Sequence, residues 1–141
     1  MIFRQAPELR EIAKQIQENW AVKWKLFHID LNRVGFLYES SCEETKYAGE
    51  CRQVGQPWKG LLEDAGIDWD YVIEVYGFHA EGKSREWLQI LLYHEMRHIG
   101  FDGKLVKHNI EDFRDVLLEF GLDWHADKEL PDILKLKPRI E

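Results

Sequence analysis

Cysteine is scarce in this sequence, and its scarcity excludes two kinds of stabilising site. Cys42 and Cys51 are the only cysteines among 141 residues. Two thiols cannot supply a four-thiolate zinc site, nor the several disulfides that hold small secreted domains together. We interpret both as packed thiols of a reducing compartment, although their spacing around a predicted turn leaves a bridge open.

Long apolar runs are missing as well. No stretch approaches the roughly 20 apolar residues that a membrane-spanning helix needs. Residues 1–20 contain no uninterrupted apolar segment of signal-peptide length. We therefore expect a cytoplasmic protein without a membrane partner.

Positive charge is in deficit. The 19 Lys and Arg residues face 26 Asp and Glu residues, which gives a formal net charge of -7. A surface of this charge has no overall attraction for the phosphates of nucleic acids or anionic lipids. Nucleic acid is therefore not an expected partner.

Apolar residues, by contrast, are plentiful. They make up 45% of the chain, and aromatic residues, including six Trp, make up 13%. This is enough to build one hydrophobic core, and the length leaves little room for a second. We expect a single domain over residues 1–124. Because Pro131 and Pro138 interrupt the sequence that follows, we expect residues 125–141 to form a C-terminal tail.

Hydrophobic periodicity gives the order of the elements. It predicts helices at residues 7–20, 57–65, 84–99 and 109–120, and strands at residues 33–39, 46–54 and 71–78. Ser84 is placed to cap the third helix, and Gly66 and Gly100 to end the second and third. The first two strands flank the polar run SSCEET and are predicted to form a connected pair. The order is typical of an α+β domain with a small, mostly antiparallel sheet.

The predicted third helix carries the sequence His94-Glu95-Met96-Arg97-His98. Four residues are slightly more than one helical turn, so both imidazoles project from one face and can converge on one ion. Zinc bound there lowers the pKa of a coordinated water from about 15.7 toward about 7 and polarises a carbonyl group. A carboxylate beside the first ligand can move the proton from that water to a leaving amine, which makes Glu95 the candidate general base.

A catalytic zinc ion normally has three protein ligands, so one more is needed. His108 is the first candidate, because Gly100 and Gly103 let the segment after His98 reverse direction. Glu111 and Asp112 remain alternatives, either as oxygen ligands or as partners that orient a ligand imidazole. Both fall in the first turn of the predicted fourth helix, where carboxylates are favoured without any metal.

Further candidates are less specific. Glu119 is a rival oxygen ligand, although its position on the predicted fourth helix suits a solvated side chain. Tyr76, His79 and His125 are candidate donors to the oxyanion of a tetrahedral intermediate. Metzincins extend the motif with a Gly and a third His, and here Phe101 and Lys104 occupy those two positions, which excludes that class.

These residues resemble a family of phage, prophage and archaeal metallopeptidases, which is a minimal zincin group with the His-Glu-x-x-His motif. The likeness rests on LLYHEMRHIG at residues 91–100, the glycine-containing loop leading to Lys107-His108, and IEDF at residues 110–113. It also includes the strand at residues 71–75 and the region FLYESSCEETKYAGECR, so that it covers roughly residues 30–124. More distantly, the chain is similar to the SprT-type zincins, which are linked to DNA–protein repair.

The resemblance implies a zincin-like fold with His94, His98 and His108 as Zn2+ ligands and Glu95 as the catalytic acid-base. We therefore expect a zinc metallopeptidase that cleaves a peptide or protein substrate, and a strand at residues 71–78 that holds the peptide at the edge of the sheet. The alternatives are a non-catalytic metal-binding or adaptor module and a SprT-like, DNA-associated protease. Glu95 favours an enzyme, because a closed structural site has no need of a base. The acidic charge and the lack of zinc-ribbon cysteines count against a role on DNA.

Overall fold

A computed structural model of the chain describes residues 1–20, 26–106, 130 and 132–134. Within these residues the elements are, in chain order, β1 (Phe3–Gln5), α1 (Pro7–Trp20), β2 (Val34–Glu39), β3 (Gly49–Gln53), α2 (Trp58–Asp64), β4 (Tyr71–Tyr76), α3 (Gly77–Ala80) and α4 (Arg85–Met96). The prediction of an α+β fold with a small, mostly antiparallel sheet is confirmed, and it is consistent with a small zincin-like domain.

The helices α1 and α4 form the layer that covers one face of the sheet. On α1 the buried side chains recur at steps of three and four residues; they are Leu9, Ala13, Ile16 and Trp20. On α4 the burial is nearly continuous from Trp87 to Met96. The two helices share one apolar core with Phe36, Ile73 and Val75 of the sheet. The helix that carries the motif is therefore held firmly from several sides.

The sheet has the strand order β1-β2-β4-β3. Strand β4 runs parallel to β2 and antiparallel to β3, and β1 runs antiparallel to β2. The prediction that the strands around SSCEET form a connected pair is wrong, because β4 lies between them. Strand β4 is partly or fully buried along its whole length, whereas β3 ends in the exposed residues Arg52 and Gln53. The more apolar strand occupies the centre, as burial on both sides requires.

The same order corrects the prediction of an edge strand at residues 71–78. Strand β4 is central, and the edge strand that contacts α4 is β3. The strand also ends earlier than predicted, because residues Gly77–Ala80 turn into the short helix α3. Gly77 fits closely against β2 there, since a Cβ at this position would lie 2.6 Å from the carbonyl oxygen of Glu39.

Other predicted boundaries were close. Helix α2 is followed by Gly66 in the left-handed conformation, with φ of 81°, as a helix-ending glycine should be. Helix α4 begins at the predicted cap, where the Ser84 side chain accepts a hydrogen bond from the Trp87 amide, but it ends at Met96 instead of residue 99. The predicted helix at residues 109–120 lies outside the described residues.

Residues 132–134 pack against the two-helix layer. Ile133 is fully buried, and its carbonyl oxygen accepts a hydrogen bond of 2.7 Å from the Trp20 indole. Its amide donates to the Gln89 side chain at 3.1 Å. This short segment of the predicted tail therefore contributes to the core.

A network of charges ties the start of β2 to α2 and to the start of β4. The Arg33 guanidinium donates to both oxygens of Asp70, at 2.5 and 2.9 Å, and to Asp68 at 2.6 Å. Lys59 of α2 pairs with the same two aspartates.

Helices in the described part of the chain are all too short or too polar to cross a bilayer.

Candidate metal centre

The motif lies where α4 ends. His94 and Glu95 belong to the last turn of α4, and His98 lies in the turn directly after it. The Arg97 amide donates to the Tyr93 carbonyl, and the His98 amide donates to the Glu95 carbonyl, each at 3.1 Å. The backbone therefore keeps turning, in a tighter form, for one more turn. As a result the two imidazole rings are neighbours in an edge-to-face arrangement, with centroids 5.4 Å apart.

The donor atoms of the motif converge. One ligand atom from each of His94, Glu95 and His98 lies within 4.8 Å of the other two. His94 and Glu95 are 8% and 3% exposed, so the centre is buried on one side. Burying a carboxylate costs free energy unless a positive charge or hydrogen bonds compensate it. Oε1 of Glu95 lies 3.7 Å from Nε2 of His98. This group of two imidazoles and a carboxylate could hold a metal ion.

The orientation of His98 is fixed by the hairpin that follows it, at residues 99–106. Its Nδ1 lies 2.6 Å from the carbonyl oxygen of Val106, and the Val106 amide donates to the His98 carbonyl at 2.6 Å. Because a carbonyl oxygen only accepts, Nδ1 must carry the proton in this contact. In the neutral ring Nε2 is then the unprotonated nitrogen, which is the nitrogen that a ligand imidazole uses.

The hairpin itself confirms the predicted reversal of the chain after His98. Ile99 and Leu105 form an antiparallel bridge, and Gly103 adopts a φ of 80°. The Tyr71 hydroxyl of β4 donates to the Gly103 carbonyl and so anchors the loop on the sheet. Sequence reasoning missed the Val106 carbonyl, because a backbone atom leaves no signal in the sequence.

Strand β3 passes beside Glu95. A Cβ on Gly49 would lie 3.3 Å from Oε2 of Glu95, which shows how closely the strand approaches the carboxylate. Cys51 on the same face of β3 is buried, and burial together with the charge of Glu95 raises the pKa of its thiol far above the usual range. Both cysteines are free thiols, so the open question of a bridge is answered.

The backbone of β3 has an outer edge. The even-numbered residues in and beside β3 are the ones that form hydrogen bonds to β4. The Tyr76 amide donates to the Ala48 carbonyl, and the Val54 amide donates to the Asp70 carbonyl. In an antiparallel ladder the alternate residues then direct their N–H and C=O groups away from the partner strand. Those residues are Gly49, Cys51 and Gln53. Among the described residues β3 is the last strand on this side of the sheet.

Of the other sequence candidates, the structure describes Tyr76 and His79, and it brings neither to this centre. The Tyr76 hydroxyl is hydrogen-bonded to Glu74 at 2.6 Å and to Glu50 at 3.0 Å, on the opposite face of the sheet from Gly49. His79 contacts the Thr45 carbonyl through Nε2 at 2.6 Å. The remaining candidates lie outside the described residues; they are His108, Glu111, Asp112, Glu119 and His125.

Comparisons with known proteins add a family. No curated protein and no solved structure matches the chain significantly. A family model described as "Putative phage metallopeptidase" matches residues 1–134. Such a family implies a metal ion and a peptide or protein substrate, and the His94, Glu95 and His98 group is one that could hold the ion. Since the match extends over nearly the whole length, the chain belongs to this phage metallopeptidase family.

Proposed function

We propose that the protein is a zinc-dependent peptidase in which His94, His98 and His108 hold the metal and Glu95 acts as the general base. The observation that carries the proposal is the buried convergence of two imidazoles and one carboxylate at the end of α4. When bound, zinc supplies Lewis-acid activation of water and of the substrate carbonyl. The protein has to supply the proton transfers and to position the peptide.

Glu95 is suited to the proton transfers. It lies one residue after the first ligand and 3.7 Å from the second, so its carboxylate borders the space between the imidazoles. In the proposed reaction it takes a proton from the attacking water and delivers it to the nitrogen of the leaving amine. A metal site that only stabilises the fold does not need a carboxylate that acts as a base.

His108 is the proposed third ligand. The support is its position in the chain, because Val106 lies against His98 and His108 follows two residues later. Two residues span at most about 7 Å of extended chain. Glu111 and Asp112 are the alternatives if His108 proves dispensable.

The outer edge of β3 is the proposed binding surface for the peptide. An extended substrate that pairs with the backbone of Gly49, Cys51 and Gln53 becomes a further strand of the sheet. Because Gly49 lies beside Glu95, a peptide on this edge passes next to the carboxylate. The backbone supplies affinity that does not depend on the substrate sequence.

The replacement Glu95→Gln tests the proposed function. It keeps the size of the side chain but removes the base, so zinc content should stay at the parental level while hydrolysis of a panel of denatured proteins falls by roughly 10²–10⁴-fold. Glu86→Gln in the first turn of α4 is the matched control and should behave like the parent. Equal hydrolysis by the parent and Glu95→Gln would remove Glu95 from this role, whereas hydrolysis by neither protein would favour a non-catalytic metal-binding module.

A further inference from the structure

Gly49 begins β3 and faces the end of α4. An ideally placed Cβ at this residue would meet three atoms: the Glu74 carbonyl oxygen at 3.0 Å, Oε2 of Glu95 at 3.3 Å and Cδ1 of Leu91 at 3.4 Å. These atoms come from the neighbouring strand and from the helix that carries the motif. A side chain at residue 49 would therefore be enclosed on both sides.

The carbonyl group on β4 and the side chains on α4 differ in how easily they can move. The Glu74 carbonyl belongs to the central strand β4, whose backbone is paired on both edges. It cannot move without distorting the sheet. An added carbon is therefore pressed toward α4, where the carboxylate of Glu95 is the nearer neighbour and the Leu91 side chain the next. Strand formation does not explain a glycine here, because glycine is depleted in strands.

We propose that Gly49 is the positioning residue for Glu95. The space left by its missing side chain is the space that allows the carboxylate to lie against β3, and it sets the distance of the carboxylate from the two imidazoles. This inference rests on the proposed function, since it concerns the base of that reaction. It assigns to the edge strand a role in catalysis in addition to the binding of peptide.

Substitution by alanine gives the expected effect. The carboxylate has to shift by a few tenths of an ångström, and a base that is displaced from its working position transfers protons more slowly. The outer N–H and C=O groups of residue 49 are retained, so the binding of peptide by the strand edge is retained as well. We expect Gly49→Ala to lower kcat about tenfold and to leave KM within about twofold of the parent.

The experiment compares four proteins in a double-mutant cycle: the parent, Gly49→Ala, Glu95→Asp and the double variant. Kinetics with a cleavable peptide, zinc content and the thermal unfolding midpoint are measured for each. Aspartate is one methylene shorter and withdraws the carboxylate from residue 49. In the Glu95→Asp background, Gly49→Ala should therefore lower kcat by less than about threefold and destabilise the fold less than in the parent. Gly55→Ala is the control, because a Cβ at Gly55 has no neighbour within 4 Å.

Each outcome decides the proposal. Equal kcat for Gly49→Ala and Gly55→Ala would overturn it, and so would an equal loss of activity in both Glu95 backgrounds, because the effect would then not pass through the carboxylate. If Gly49→Ala alone fails to fold, the proposal requires Glu95→Asp to restore folding, and failure of both variants would place the whole conflict at the Glu74 carbonyl. A parent protein that binds zinc but cleaves nothing would instead overturn the proposed function, and the role of Gly49 with it.

Discussion

One hydrogen atom determines how His98 can be used. Its Nδ1–H donates to the Val106 carbonyl. In the neutral ring Nε2 is therefore the electron-pair donor, on the side where His94 and Glu95 lie. A free imidazole would exchange between two tautomers and several rotamers. The contact removes that freedom before any ion arrives, and this lowers the entropic cost of binding.

The proposed third ligand, His108, lies outside the described residues and can be tested by substitution. If His108 completes the centre, His108→Ala should bind zinc more than about 100-fold more weakly than the parent, because loss of a ligand costs more than loss of a ligand's hydrogen-bond partner. Metal analysis after gel filtration and a competition titration with a chelator measure this. His125→Ala serves as the control for an imidazole later in the chain. Undiminished zinc in His108→Ala would transfer the role to Glu111 or Asp112.

At the residue level the sequence was informative where chemistry depends on side chains. The spacing of His94 and His98 predicted that the two imidazoles would project from one face of the helix, and one ligand atom of each lies within 4.8 Å of the other and of a Glu95 oxygen. The spacing could not reveal the Val106 carbonyl or the close approach of Gly49, because both depend on where distant backbone lies. A glycine within a strand pattern was the available hint that something passes nearby.

Among the elements, the hairpin after α4 is the one that holds His98 in position. It brings Val106 back to His98 through the bridge between Ile99 and Leu105. Gly100 sits inside this reversal, where a Cβ would lie 2.8 Å from the Lys104 carbonyl and 2.9 Å from a methyl group of Val106. The hairpin is therefore closed too tightly to accept a side chain at this position.

Gly100→Ala should consequently loosen the hairpin and release the His98 ring. We expect zinc affinity to fall by about 10–100-fold, which is the usual range for loss of a partner that orients a ligand. The unfolding midpoint of metal-free Gly100→Ala should differ little from that of the metal-free parent. A zinc competition titration beside Gly55→Ala measures the effect, and parental affinity in Gly100→Ala would show that the Val106 contact is not needed.

The helices were easier to predict than the strand order. The hydrophobic pattern of the sequence predicted α1 and α4, and Ser84 marked the start of α4, since these signals act within a few residues. Pairing of strands depends on contacts between distant segments, so the sequence pattern could not show that β4 lies between β2 and β3. The predicted edge strand was wrong for the same reason.

For the molecule as a whole, the Arg33, Lys59, Asp68 and Asp70 network predicts a dependence of stability on pH. The guanidinium of Arg33, with help from Lys59, lowers the pKa of Asp70 from 3.8 to about 2. A lowered carboxyl pKa stabilises the fold above the unfolded value and loses that contribution as the pH falls toward the folded value. The window is therefore about pH 4 to about pH 2. The Asp70 side chain is 35% exposed, so its contribution stays below about 1 kcal/mol.

Asp70→Asn should flatten part of this acid dependence. Its unfolding midpoint should lie slightly below that of the parent at neutral pH, and the difference should shrink as the pH falls below about 4. Thermal unfolding followed by circular dichroism over this range measures it. Asp64→Asn, on an exposed residue without an ion pair among the described residues, is the comparison. A constant difference between Asp70→Asn and the parent at every pH would contradict the assignment.

The central position of β4 also constrains how the protein can be made. Strands β2 and β3 are synthesised first, yet they share no hydrogen bonds and are joined only through β4, which follows later. While a ribosome is still extending the chain toward residue 71, both strands have an edge that lacks its native partner. Such edges favour pairing with other chains. Truncation before β4 should therefore yield aggregates, and host chaperones should be needed most during the synthesis of this stretch.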